Sequence, residues 1–340
     1  MNQNVQSAAI YGLAGTVISE QEAVFFREQQ PLGFILFARN CDNPDQIRKL
    51  TDGLREILQR EDVMILIDQE GGRVARLKPP FWRETNPVGI YAKLARIDKE
   101  QAAYATYLHY RLIADELYGL GINVNCAPVL DLKFPGAHDI IGDRSFGLEP
   151  MSVTMLAQEA CYGLLEGGVL PVLKHIPGHG RARADSHESL PEVDAGWDAL
   201  AKTDFMPFHQ LSSMPLAMTA HIRYTALDAG LPATLSPEVI DIIRTSIGFD
   251  GVLLTDDLSM KALEGSFADR ARSSLEAGCD VVLHCNGEME EMKSVAEGVI
   301  PLDDDALERV KAMWGRLQEP EPIDIEEVIQ ELEATIEPVI

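Results

Sequence analysis

The 340-residue chain carries 54 acidic against 29 basic side chains, a formal charge of −25, with 46% hydrophobic residues. Such a field repels polyanions over about a Debye length, so nucleic acid and acidic membrane surfaces are not expected as partners. No apolar run approaches the ~20 residues of a bilayer span, and the N-terminal MNQNVQSAAIYGLAG lacks a basic leader region, so a cytoplasmic protein is expected. The five cysteines are scattered without CxxC spacing, which argues for buried thiols over disulfides or a zinc knuckle.

Eight short apolar, β-rich runs alternate with helical patterns: AAIYGLAG, GFILF, VMILIDQ, INVNCAPVLDL, VLPVLKH, LAMTAH, GVLLTDD and CDVVLHC. Helix starts are signalled by Ser19, Asn43-Pro44 and Ser236-Pro237, and helix ends by Gly121, Gly168, Gly248 and Gly278. Eight βα units in a chain of this length predict a single-domain (β/α)8 barrel over residues 1–317, an α/β fold. A doubly wound sheet is disfavoured because no GxGxxG follows the first run. Over 318–340, eight carboxylates occur without a basic residue, yet Ile325, Val328, Ile329, Leu332 and Ile336 form one apolar stripe. That spacing predicts a docked, acidic C-terminal helix.

Barrel sites are built at the C-terminal ends of strands. Asp68, Asp131, Lys174, His175, His221, Asp256, Asp257, His284 and Asn286 fall at those ends and would converge on one mouth. Taken singly, Asp131 reads as a loop cap, His221 as a satisfied core histidine and Asn286 as a helix start. The stretch KHIPGHGRARADSH (174–187) concentrates a lysine, three histidines and an aspartate after a strand, a density that packing alone does not explain. Asp185 and His187 are close enough for a carboxylate to orient an imidazole, and a strand-end aspartate would supply a nucleophile. Pro177, Gly178 and Gly180 predict a sharp turn with backbone close to a ligand. Arg181 and Arg183 read as solvated, or as contacts to an acidic ligand.

Together with LIDQEGGRVARL (66–77), APVLD (127–131), GDRSFG (142–147), TAHIRY (219–224) and GFDGVLLTDDLSM (248–260), this stretch resembles the bacterial β-N-acetylhexosaminidases of glycoside hydrolase family 3. The resemblance runs over about residues 30–290. It implies a retaining exo-glycosidase that releases N-acetylglucosamine from anhydro-muropeptide fragments in cell-wall recycling. It also implies Asp256 as nucleophile, His187 as acid/base supported by Asp185, and Asp68, Arg76, Arg144, Lys174 and His175 as sugar-binding residues. Asp257 competes with Asp256 for the mouth, since successive strand residues face opposite ways. No cofactor is expected, and the oligomeric state would be a monomer or weak dimer. Because the chain leaves no room for a second domain after the eighth unit, an acid/base on the barrel's own loop is expected. A β-glucosidase-like relative with relaxed selectivity at the 2-position stays open. So does a metal-dependent hydrolase using His175, His179, His187, His221 and Asp256, which Pro177 and Gly178 disfavour by breaking any helical HxxxH face.

Overall fold

The computed structural model describes residues 6–340; Met1–Val5, on which part of the expectation about a leader rests, lie outside the described residues. Eight parallel strands close into a barrel: β1 (Ser7–Gly12), β2 (Pro31–Leu36), β3 (Met64–Ile67), β4 (Val124–Asn125), β5 (Leu170–Ile176), β6 (Leu216–Thr219), β7 (Val252–Asp257) and β8 (Val281–His284). Each pairs with its sequence neighbours, and β8 closes on β1 through Ala9 opposite Val282. The expected (β/α)8 architecture is therefore present.

Alternation along the strands sorts the side chains into two layers. Ile10, Ile35, Leu66, Val172, Leu216, Leu254 and Leu283 fill the barrel, while Ala9, Phe34, Ile67, Leu173, Ala217 and Leu253 face the helices. The helices form where sequence marks them. Ser19 and Glu22 make a reciprocal capping box on Glu20–Gln29, and Asn43 and Ser236 cap the helices begun by Pro44 and Pro237. Gly168 and Gly278 adopt left-handed backbone (φ 75° and 108°), the conformation that returns the chain to the next strand.

Beyond the eight units, the helix Asp304–Trp314 closes the N-terminal end of the barrel, inserting Ala306, Val310 and Met313 against the interior layer. Arg309 and Arg244 both bind the buried carboxylate of Asp280 there. The last helix, Ile325–Ile336, is capped by Asp324 and packs on the long helix Lys99–Tyr118. Of the predicted stripe, Leu332 and Ile336 are buried and Val328 and Ile329 half-buried, whereas Ile325 at the first turn is exposed. Truncating Ile336 to Ala removes core methylenes at a cost of roughly 2–5 kcal/mol if the site cannot collapse. Limited proteolysis of Ile336→Ala should then cut within 318–340 under conditions where the parent resists; equal resistance would show that this stripe does not hold the helix.

Candidate active site

At the C-terminal end of the barrel a cavity of about 200 Å³ is lined by Asp68, Glu70, Arg76, Arg144, Lys174, His175, His187 and Asp256, among others. Seven of the eight residues implied by the resemblance thus meet in one place, and the eighth, Asp185, stands behind His187. The volume lies below the roughly 300–1,000 Å³ of drug-sized sites. It suits one sugar ring rather than a chain of them.

Lys174 follows Leu170 and Val172 on the interior face of β5, so its ammonium is carried into the barrel. Lys174 Nζ donates to Asp68 Oδ1 at 2.8 Å and pairs with Glu70 Oε1 at 2.7 Å. Arg76 Nη2 binds the other oxygen of Asp68 at 2.9 Å, and Arg144 grips Glu70 through Nε and Nη2, both at 2.8 Å. Burial works against charge on Asp68 and Glu70. The flanking cations outweigh it and hold Asp68 well below the usual carboxylate range and Glu70 down to about 2. Burial likewise opposes charge on Lys174, and its two carboxylates reverse that, so the ammonium is kept.

Local folding brings these groups together. After Asp68 the chain enters a short hairpin, Gln69–Gly71 against Val74–Ala75. Gln69 exchanges hydrogen bonds with Asn125 of β4 and accepts from the backbone N–H of Arg76 and Leu77. The returning chain is thereby fixed with Arg76 beside Asp68. Arg73 binds Asp143 and the carbonyls of Asp139 and Ile140, holding the loop that presents Arg144.

On the opposite wall both Asp256 and Asp257 border the cavity, because the β7–β8 register shifts between Leu254 and Asp257 and strict alternation fails. Their surroundings differ. Asp257 accepts from Ser259 N, Ser259 Oγ and Cys285 N, so its oxygens serve the turn. Asp256 accepts from the Asp257 N–H through Oδ1 alone. Burial would raise its pKa, but His175, His221 and that N–H prevail and hold the carboxyl below its ordinary range. An ionised oxygen therefore faces the cavity.

His187 lies on the exposed part of the 174–187 loop, its side chain 64% accessible. Asp185 Oδ1 accepts from both the backbone N–H (2.9 Å) and ring Nδ1 (2.8 Å) of His187, leaving Nε2 free. Burial works to raise the Asp185 pKa, but the two His187 donors together outweigh it and bring it below normal. His175 is the buried counterpart: its Nδ1 lies 2.6 Å from Asp131 Oδ2, and Asp131 Oδ1 also accepts from His179 N at 2.6 Å.

Several sequence expectations are corrected. Gly178 and Gly180 are also required by the protein's own packing: a Cβ on Gly178 would lie 2.9 Å from Asp204 Cβ, and one on Gly180 2.0 Å from Leu132 O. Arg181 is neither solvated nor free for an acidic ligand, since it binds Asp204 and Thr203 and stacks 3.9 Å over Phe134; Arg183 is exposed. His284 points away from the mouth toward Phe267 and Glu291, and Asn286 caps the following turn. His221 is a satisfied core histidine bonded to Thr234 and to Asp257 O, and Asp131 does more than cap a loop. Glu70 escaped the sequence reading, although it lies two residues after Asp68 and so on the same face of an extended segment. Among the described residues no group of three or more His, Cys, Asp or Glu is arranged to hold a metal ion.

Comparison with known proteins identifies the family. Residues 11–316 match the model of the glycosyl hydrolase family 3 N terminal domain. A β-hexosaminidase of Alkalilimnicola ehrlichii is 40% identical over 280 residues, 81% of this chain and 79% of that protein. NagZ from Neisseria gonorrhoeae, solved in complex with N-trifluoroacetyl-D-glucosamine, superposes with a TM-score of 0.85 at 32% identity, covering 98% of this chain and 97% of that one. A family 3 β-N-acetylglucosaminidase from Paenibacillus sp. str. FPU-7 gives a TM-score of 0.85 at 30% identity over 96% of this chain, which spans 66% of that longer protein. The chain belongs to glycosyl hydrolase family 3 and is a β-N-acetylhexosaminidase of that family.

Proposed function

We propose that the enzyme removes terminal β-linked N-acetylglucosamine from GlcNAc-1,6-anhydro-MurNAc fragments during cell-wall recycling in the cytoplasm, with retention of configuration. The observation that carries the mechanism is the pairing across one small cavity of a carboxylate oxygen free to attack, on Asp256, with an oriented imidazole nitrogen free to move a proton, on His187. Asp256 attacks the anomeric carbon while His187 Nε2 protonates the departing oxygen. Water then hydrolyses the glycosyl-Asp256 ester as His187 takes up its proton. Asp185 stabilises the imidazolium form that donates.

Asp68, Lys174, His175, Arg76 and Arg144 bind the sugar's hydroxyl and acetamido groups. Their mutual ion pairs fix them before substrate arrives, so little ordering cost falls on binding. Access from one open side, past the exposed His187 loop, fits a terminal residue entering while its aglycone stays outside.

On p-nitrophenyl N-acetyl-β-glucosaminide, Asp256→Ala should lose on the order of 10³-fold or more in kcat, and the first product seen by NMR from the parent should be the β-anomer. An inactive parent, a largely active Asp256→Ala or an α product would defeat the reading. His187→Ala should lose roughly 10²–10⁴-fold on a disaccharide substrate and far less on the nitrophenyl substrate, whose good leaving group needs little protonation. Equal losses on both would remove His187 from the proton-donor role.

Glu70→Gln leaves Lys174 and Arg144 short of a buried counter-charge, which costs about 3–5 kcal/mol, and kcat/KM should fall at least about tenfold. The folded-state pKa of Glu70 is depressed from 4.5 to about 2, so its contribution is complete above 4.5 and fades as pH falls toward 2. The stability gap between parent and Glu70→Gln, measured by denaturant unfolding, should therefore be constant at neutral pH and shrink through that acid window. A gap that does not change with pH would show that the missing charge is not its cause.

A further inference from the structure

The enzyme contains a second aspartate–histidine pair that the hydrolytic mechanism does not use for proton transfer. Asp131 lies beyond β4, where the chain continues alongside β5: Leu130 N donates to Lys174 O and Val129 bridges Lys174. Its carboxylate is 1% exposed. Oδ2 meets His175 Nδ1 at 2.6 Å, and Oδ1 accepts from His179 N at 2.6 Å and His175 N at 3.3 Å. A buried carboxylate at that distance accepts, so His175 Nδ1 carries the hydrogen. The other charged or titratable groups around the ring are Asp256 on β7, His221 after β6 and His179 on the same turn.

We infer that Asp131 is a positioning residue that fixes His175 in its Nδ1–H tautomer, so that Nε2, turned to the cavity, accepts a hydrogen bond from a sugar hydroxyl. Geometry sets the direction of that bond. An imidazole whose Nδ1 donates to a carboxylate has, in its neutral form, only a lone pair at Nε2, and a hydroxyl donor satisfies it. The inference rests on the reading that His175 meets the sugar, but its spectroscopic arm does not.

Asp131→Asn is the discriminating substitution, because its shape is conserved. The amide oxygen would retain the His179 N–H, and the amide NH2 would then face His175 Nδ1. The ring must answer by accepting at Nδ1 and carrying its hydrogen on Nε2, which presents a donor where the substrate expects an acceptor. With histidine labelled in both ring nitrogens, and the His175 signals identified by their loss in His175→Gln, NMR should show Nδ1–H in the parent and Nε2–H in Asp131→Asn. The same variant should lose roughly 10- to 100-fold in kcat/KM on p-nitrophenyl N-acetyl-β-glucosaminide, the cost of a mispaired buried polar group.

A purely structural role would lower the melting temperature and leave the ring hydrogen where it was. Nε2–H in the parent overturns the inference without any variant, and so does Nδ1–H persisting in Asp131→Asn. A reversed tautomer with kcat/KM unchanged within twofold would likewise overturn it. Loss of the hydrolytic reading shows separately, in the Asp256→Ala rates.

Discussion

A lysine ammonium enclosed at the end of a barrel strand is tolerable only if its charge is answered there, because an unpaired buried ion costs several kcal/mol. Lys174 is answered by Asp68 and Glu70, and these two carboxylates in turn need Arg76 and Arg144. One strand residue thus obliges a hairpin after β3, a loop after β4 and two arginines to take fixed positions. Gln69, Asn125 and Arg73 brace that arrangement. This wall of the cavity is consequently an ionic lattice of three cations and two anions, each held by the others. Asp256 stands across from it as the remaining negative charge free to act.

The barrel was legible because its eight strands are short, apolar and punctuated by capping residues. The site was legible because polar side chains at strand ends have few reasons to be there other than chemistry. What sequence obscured was obscured for specific reasons. Glu70 sits in EGG, which reads as a turn; only the hairpin's return shows that its carboxylate points inward to Lys174 and Arg144. Asp256 and Asp257 are adjacent, so alternation predicts that one faces away, and a register shift defeats that rule. Hydrogen bonds to Ser259 and Cys285, invisible in sequence, are what separate the two. His284 ends β8 as a polar residue near a strand end, like Lys174 in β5, yet its phase turns it to the helical layer. The helix Asp304–Trp314 carries no motif, and its place beneath the barrel follows from packing alone.

Two aspartate–histidine pairs draw their histidines from the 174–187 segment, with opposite settings. Asp131 and His175 are buried and cross-braced between two strand ends, while His187 lies in the open, tied to a half-buried Asp185 whose carbonyl also accepts from Glu188 N and Ser189 N. Under the mechanism proposed above, rigidity suits the pair that would hold the sugar, and access suits the pair that would meet the departing oxygen and then a water.

The division between them falls at Ala182. Up to that residue the loop is anchored: Gly180 is wedged against Leu132, Arg181 is clamped by Asp204 and Phe134, Tyr224 binds Gly178 O, and Ala182 O accepts from His138 N. Arg183 and Ala184 beyond it carry no such ties, and Arg183 is exposed. A side-chain change at either of the two positions would therefore alter the outer part of the loop while the anchored root kept the cavity wall beneath it in place.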